Sequence, residues 1–227
     1  HNTQNVQDSQ DTQQTAKPAE QMNLFEDKLF DVNHKQDYRI IGQLFDTYWL
    51  IEFEDSFYMM DQHAAHEKIL YERLMKQFHE KTYHSQMIMP PVILTLSLRE
   101  EQILKENWKT FTALGYEIEE FGGKEYKVTG LPAELPTVID CKQLLIELID
   151  TIADESATHD PERITEKVAS MSCKAAVKGN HRMSTKEAHA LIDELLTLDN
   201  PYNCPHGRPT IISMSKYELE KKFKRIV

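Results

Sequence analysis

Three short apolar-aromatic runs follow one another with barely a turn between them: Tyr38–Phe45, Tyr48–Phe53 and Phe57–Met60. Asp46-Thr47 and Glu54-Asp55-Ser56 are the only residues available to reverse the chain. Runs of this length, rich in β-branched and aromatic residues and joined by two or three polar residues, predict an antiparallel meander. A fourth strand is expected far downstream at Thr210–Met214. Between them a hairpin is expected at Tyr116–Phe121 and Glu125–Thr129, and most of the rest reads as helix. Ser-x-x-Glu capping boxes open helices at Ser97, to end by Gly115, at Ser184, to run to Leu198, and at Ser215. The chain is then α+β, with strands from both chain ends sharing one sheet. The density of Tyr48, Trp49, Ile51, Phe53, Phe57 and Tyr58 suits either a core or a dimer face.

The third strand gives way to Asp61-Gln62-His63-Ala64-Ala65-His66-Glu67, with Glu72 five residues on. Ala64–Lys81 consists of helix formers, with Leu70, Leu74 and Phe78 as an apolar stripe. For a helix starting near Ala64, His63 and Glu67 stand about 40° apart around the axis and share a face. An imidazole and a carboxylate so placed fit a transition metal, with Asp61 at the helix mouth as a third candidate. They equally fit an ordinary solvated pair. Glu72 lies about 140° from Glu67 and faces elsewhere. His66-Glu67 opens like H-E-x-x-H, but Leu70 stands where the second histidine of a metalloprotease belongs.

A second cluster is Cys204-Pro205-His206-Gly207-Arg208-Pro209. Two prolines and a glycine hold it as a loop that carries a thiol and an imidazole. Cys173 lies in a small-residue helical stretch, Ala169–Ala176. His63, Glu67, Cys173, Cys204 and His206 together form a mixed N/O/S set sufficient for one tetrahedral zinc with a ligand to spare, or a share in two adjacent metals. Paired C-x-x-C arms of a zinc ribbon are absent. Cys141, beside Leu144, Leu145 and Leu148, reads as packing.

Four motifs occur in order: D-Q-H-A-x-x-E-x-x-x-x-E at Asp61–Glu72, S-C-K at Ser172–Lys174, C-P-H-G-R-P at Cys204–Pro209 and F-K-R at Phe223–Arg225. Over about residues 36–227 this strongly resembles the C-terminal endonuclease domain of the MutL family of DNA mismatch-repair proteins, as found in bacteria without strand-marking methylation. Where the family often has A-C-K or A-C-R, this chain has Ser172-Cys173-Lys174. The resemblance implies a homodimer whose dimerisation subdomain comes from both chain ends. Its parts are residues 36–85, with the endonuclease motif, and 164–227, with the metal-ligand loop. Residues 86–163 form an inserted α/β regulatory subdomain, and residues 1–35 a linker or tail that leads to an N-terminal ATPase domain in the full-length protein. It also implies a metal-dependent endonuclease that nicks one strand of duplex DNA. On that resemblance Asp61 and Glu67 serve catalysis and His63, Glu67, Cys173, Cys204 and His206 hold metal, while Arg208 and Arg225 either contact phosphate or pair with a Glu or Asp. Thiolates favour Zn²⁺ in a structural or regulatory role, whereas the cleavage chemistry suits Mn²⁺ or Mg²⁺. The reading from a different class is a non-catalytic dimerisation module braced by zinc.

Ser85-Gln86-Met87-Ile88-Met89-Pro90 resembles the family's peptide for docking on the sliding clamp, with Gln86, Ile88 and Pro90 as contacts. Ser85 occupies the place of that peptide's leading glutamine; an ordinary strand before Pro90-Pro91 is the other reading.

Net charge is −11, from 37 acidic against 26 basic residues, so weak DNA binding by this domain alone is expected, with affinity supplied by a tethered domain or a partner. Positive charge concentrates in Arg208, Lys216, Lys221, Lys222, Lys224 and Arg225, and in Lys174, Lys178, Arg182 and Lys186. Residues 1–35 are rich in Gln, Asn, Asp and Thr. No G-x-x-x-x-G-K loop is present, so ATP binding is not expected. The chain opens on His1 rather than Met, as a fragment does, and shows neither signal peptide nor membrane-length apolar run. An odd count of three cysteines fits a reducing bacterial cytoplasm.

Overall fold

The structure is a computed structural model, and it describes residues 38–136, 139–155, 161–177 and 182–226. The expected tail and Lys178 lie outside the described residues.

The meander forms as expected: β1 (Arg39–Leu44), β2 (Tyr48–Phe53) and β3 (Ser56–Asp61). β7 (Ile211–Ser215) pairs with β3 from Ser56↔Ser215 to Met60↔Ile211 and completes an antiparallel sheet of order β1-β2-β3-β7. Period-two alternation buries Trp49, Ile51, Phe53, Tyr58, Met60 and Ile211 on one face. The opposite face lines up Leu50, Met59 and Ile212 across three strands and leaves Ile41, Leu44 and Ile212 exposed.

A second antiparallel sheet, of order β4-β6-β5, is built from the middle of the chain: β4 (Ser85–Thr95), β5 (Glu117–Gly122) and β6 (Glu125–Pro132). The Pro90-Pro91 passage is therefore part of an edge strand. Its register shifts between Met87 and Val92, a bulge in which prolines with no N–H to donate are tolerated.

Helix α1 (Gln62–Glu80) lies between the two cores. Ala65 and Ile69 pack into the core of the first sheet, and Leu74 and Met75 into the core under the second. The helix begins two residues before the expected Ala64 because the Asp61 carboxylate caps it, accepting from the backbone N–H groups of His63 (2.8 Å) and Ala64 (3.1 Å). The single helix expected from Ser97 to Gly115 is two, α2 (Leu98–Glu106) and α3 (Trp108–Ala113). Asn107 divides them: its side chain donates to the Ile103 carbonyl at 2.9 Å, a local bond that competes with helix continuation. Helices α4 (Cys141–Glu155), α5 (Pro161–Val177), α6 (Thr185–Leu195) and α7 (Lys216–Lys222) follow. Capping boxes at Ser97/Glu100, Ser184/Glu187 and Ser215/Glu218 open α2, α6 and α7. α6 ends three residues short of the expected Leu198, and Ala188, Leu191, Ile192 and Leu195 turn inward towards the first sheet. No helix among the described residues is long and apolar enough to cross a membrane.

Candidate metal centre

The site forms where the end of β3, the start of α1 and the loop before β7 meet. Three backbone bonds fix the junction: Asp61 N–H donates to the Thr210 carbonyl (2.9 Å), Gln62 N–H to the Thr47 carbonyl (3.0 Å) and Thr210 N–H to the Tyr202 carbonyl (2.8 Å). Gln62 is buried, and its side-chain oxygen accepts from Trp49 Nε1 (3.2 Å) and Gln43 Nε2 (3.1 Å), locking the first turn of α1 against the sheet.

The Cys204–Pro209 loop is closed on itself. Cys204 N–H donates to the Arg208 carbonyl and Gly207 N–H to the Cys204 carbonyl, both at 2.9 Å. Gly207 adopts a φ of +77°, a backbone conformation that a side chain would strain. The resulting fold-back turns Cys204 and His206 towards α1.

There they meet Glu67. One ligand atom each from Glu67, Cys204 and His206 lie within 4.8 Å of one another. His206 Nδ1 stands 3.3 Å from Glu67 Oε2, about the edge of a tetrahedron with metal–ligand bonds near 2.0 Å. Glu67 and Cys204 are buried, each 4 % exposed. A buried carboxylate and a buried thiol meeting an exposed imidazole suit Zn²⁺, and these residues fit such an ion.

Arg208 shares the site. Its guanidinium donates to Glu67 Oε2 at 2.6 Å across 141 residues of sequence, and it also bonds the Cys204 side chain. The bond to Glu67 leads the causes that raise its pKa, so the guanidinium stays charged. The sequence leaves Arg208 a phosphate contact or a pairing with Glu or Asp; the structure shows the pairing, with Glu67 as the partner. Ser170, from α5, was not singled out at all; its Oγ lies 3.1 Å from His206 Nε2.

Of the five ligands expected, the structure brings three together; His63 and Cys173 fall outside that cluster. His63 Nδ1 is 3.8 Å from Asp61 Oδ1, and His63 lines a cleft of about 520 Å³ together with His66, Arg73, Glu134 and Glu194. Arg73 ties that cleft together, pairing with Glu194 (2.7 Å) and Glu134 (3.2 Å). Cys173 is fully buried in the second core. Burial, reinforced by the negative charges of Glu67 and Glu134, holds its thiol well above the usual range. Ser172 beside it is buried with its hydroxyl satisfied, donating to the Val168 carbonyl and paired with Tyr116 Oη, both at 2.6 Å. Serine is thus accommodated where the family often has alanine. Glu72 pairs with Lys68, away from the cluster.

Arg225 is remote. It follows α7, which begins beside Asp55 at the far end of β3, about 16 Å of strand from Asp61. Its guanidinium sits 6.0 Å from the Phe223 ring. Gln86 is engaged internally, donating to the backbone carbonyls of Pro132 (3.0 Å) and Leu135. In the same segment Met87 and Met89 are 75 % and 82 % exposed.

Comparison with known proteins agrees with this architecture. Residues 41–183 match the family model described as the MutL C terminal dimerisation domain. A DNA mismatch repair protein MutL from Agathobacter rectalis is 57 % identical over 202 residues, covering 88 % of this chain and 31 % of the relative. MutL proteins from Caldanaerobacter subterraneus subsp. tengcongensis (39 % over 196 residues; 86 % and 33 %) and Clostridium perfringens (39 % over 188 residues; 83 % and 28 %) are also similar. The chain thus spans about a third of the length of the curated relatives it matches. It belongs to the MutL family of DNA mismatch repair proteins, in the region of their C-terminal dimerisation domain.

Proposed function

We propose that this domain is a metal-dependent endonuclease that nicks one strand of duplex DNA during mismatch repair, and that it acts as a homodimer. The observation that carries the reading is the convergence of Glu67, Cys204 and His206 on the second turn of the helix that Asp61 caps. A divalent ion held by these residues supplies positive charge against phosphate oxygens and lowers the pKa of a water. The chain's own residues supply the rest. Asp61, fixed by two backbone N–H groups, holds a carboxylate about 9 Å along the helix axis from Glu67, where it can orient a water or ligate a second, harder ion such as Mn²⁺ or Mg²⁺. Arg208 offers a half-exposed guanidinium beside the cluster to a phosphate.

The apolar outer face of the first sheet, with Ile41, Leu50, Met59 and Ile212, is the surface proposed to meet a second copy. Sliding clamp, duplex DNA and the N-terminal ATPase domain are proposed partners, and the bacterial cytoplasm the proposed location. A dimerisation module whose zinc only braces the fold is the second reading; the burial of Glu67 and Cys204 favours it. Relaxation of supercoiled plasmid separates the two. Nicking by the wild type with Mn²⁺, absent in chelator and in Asp61→Asn, supports the endonuclease. Zinc binding without nicking under any metal supports the brace.

A further inference from the structure

The His206 ring has two nitrogens, and each faces a different partner. Nδ1 looks at Glu67 Oε2 from 3.3 Å, inside the ligand cluster, whereas Nε2 looks away at Ser170 Oγ from 3.1 Å. Ser170 belongs to α5 and is only 8 % exposed, so this hydroxyl is a built contact rather than a surface encounter. A neutral imidazole carries one proton, and a metal takes the nitrogen without it. Which nitrogen that is depends on where the proton is welcome.

We propose that Ser170 is a positioning residue that commits His206 to bind metal through Nδ1, by accepting a hydrogen bond from Nε2–H. A hydroxyl suits the task because it both accepts and donates. It can donate to bare Nε2 while Nδ1 carries the proton and faces the Glu67 carboxylate. It accepts once the proton resides on Nε2 and Nδ1 turns its lone pair to the ion. Alanine can do neither. Without Ser170 the ring keeps only its approach to Glu67, in a loop otherwise held by backbone bonds and by the Arg208–Glu67 pair.

This rests on the metal centre proposed above, and the test separates the two. Zinc affinity of the full chain is measured by competition with a chromophoric chelator, and the His206 ring nitrogens are followed by ¹⁵N NMR in the zinc-loaded protein. In the wild type, Nδ1 is expected to carry the metal shift and Nε2 the proton. Ser170→Ala should weaken zinc binding by about 10- to 100-fold, as loss of such supporting bonds does elsewhere. Ser170→Thr, which keeps the hydroxyl, should bind within a few-fold of wild type. Circular dichroism of all three proteins should be unchanged, because alanine is well tolerated in a helix. Coordination through Nε2, or an unchanged affinity and proton position in Ser170→Ala, overturns this assignment and leaves the metal centre standing. Failure of the wild type to bind zinc overturns both.

Discussion

Removing the Arg208 guanidinium leaves Glu67 with a buried negative charge, and the consequence depends on whether metal is present. The pair is asymmetric: the Glu67 side chain is 5 % exposed and that of Arg208 53 %. Breaking a fully buried pair costs about 3–5 kcal/mol, whereas exposed pairs contribute about 0–1 kcal/mol. With one member inside and the other half in water, solvent screening brings the expected loss for Arg208→Ala to about 1–2 kcal/mol. For a domain of this size that is a fall in Tm of about 3–6 °C. The measurement is differential scanning fluorimetry, once in chelator and once with saturating zinc. A divalent ion on Glu67 neutralises the same charge, so zinc should shrink the difference between wild type and variant to less than half. Equal losses in chelator and zinc would refute the reasoning, because Arg208 and the metal would then not answer to the same carboxylate. Arg208→Lys, which keeps the charge but not the planar fork, should fall between.

Asp61→Asn should abolish plasmid nicking while shifting Tm little, since asparagine caps a helix about as well as aspartate; wild-type nicking by the purified variant would remove Asp61 from the chemistry. Cys141, pushed up to about 12 mainly by burial and then by Asp140, and Cys173, held well above the usual thiol range mainly by burial, remain protonated thiols at pH 8. Both should ignore an aromatic disulfide reagent until the chain is unfolded, as peptide mapping would show; prompt labelling of either would contradict their burial. Stimulation of nicking by a sliding clamp should be lost when exposed Met87 and Met89 are both replaced by serine, with basal activity and Tm preserved. Gln86→Ala should instead lower Tm, because its amide bonds backbone carbonyls; clamp stimulation that survives the methionine changes would place docking elsewhere.

Local chemistry was legible in the sequence wherever it acts over a few residues. Alternating apolar residues and two-residue turns gave β1–β3, and Ser-x-x-Glu gave the starts of α2, α6 and α7, because those interactions close within a turn. His63 and Glu67 were expected on one helix face, yet the partner that Glu67 meets is His206, and His63 faces Asp61 and the cleft instead. Helical spacing fixes angles about one axis and says nothing of which side the loop approaches. Cys173 carried a motif, but its thiol points into the second core, a matter of how α5 packs on α1. That Arg208 meets Glu67, across 141 residues, and that Ser170 meets His206, across 36, follow only from the tertiary fold. The break at Asn107 is a side-chain bond winning over propensity, which helix-former counts do not register.

The most direct test of the central claim, that Glu67, Cys204 and His206 hold one ion, is X-ray absorption at the zinc edge of the purified protein. The expected spectrum has one sulfur at about 2.3 Å and the remaining nitrogen or oxygen ligands at about 2.0–2.1 Å, with the sulfur lost in Cys204→Ser. Zinc bound with no sulfur in its shell, or a sulfur that persists in Cys204→Ser, would contradict the account.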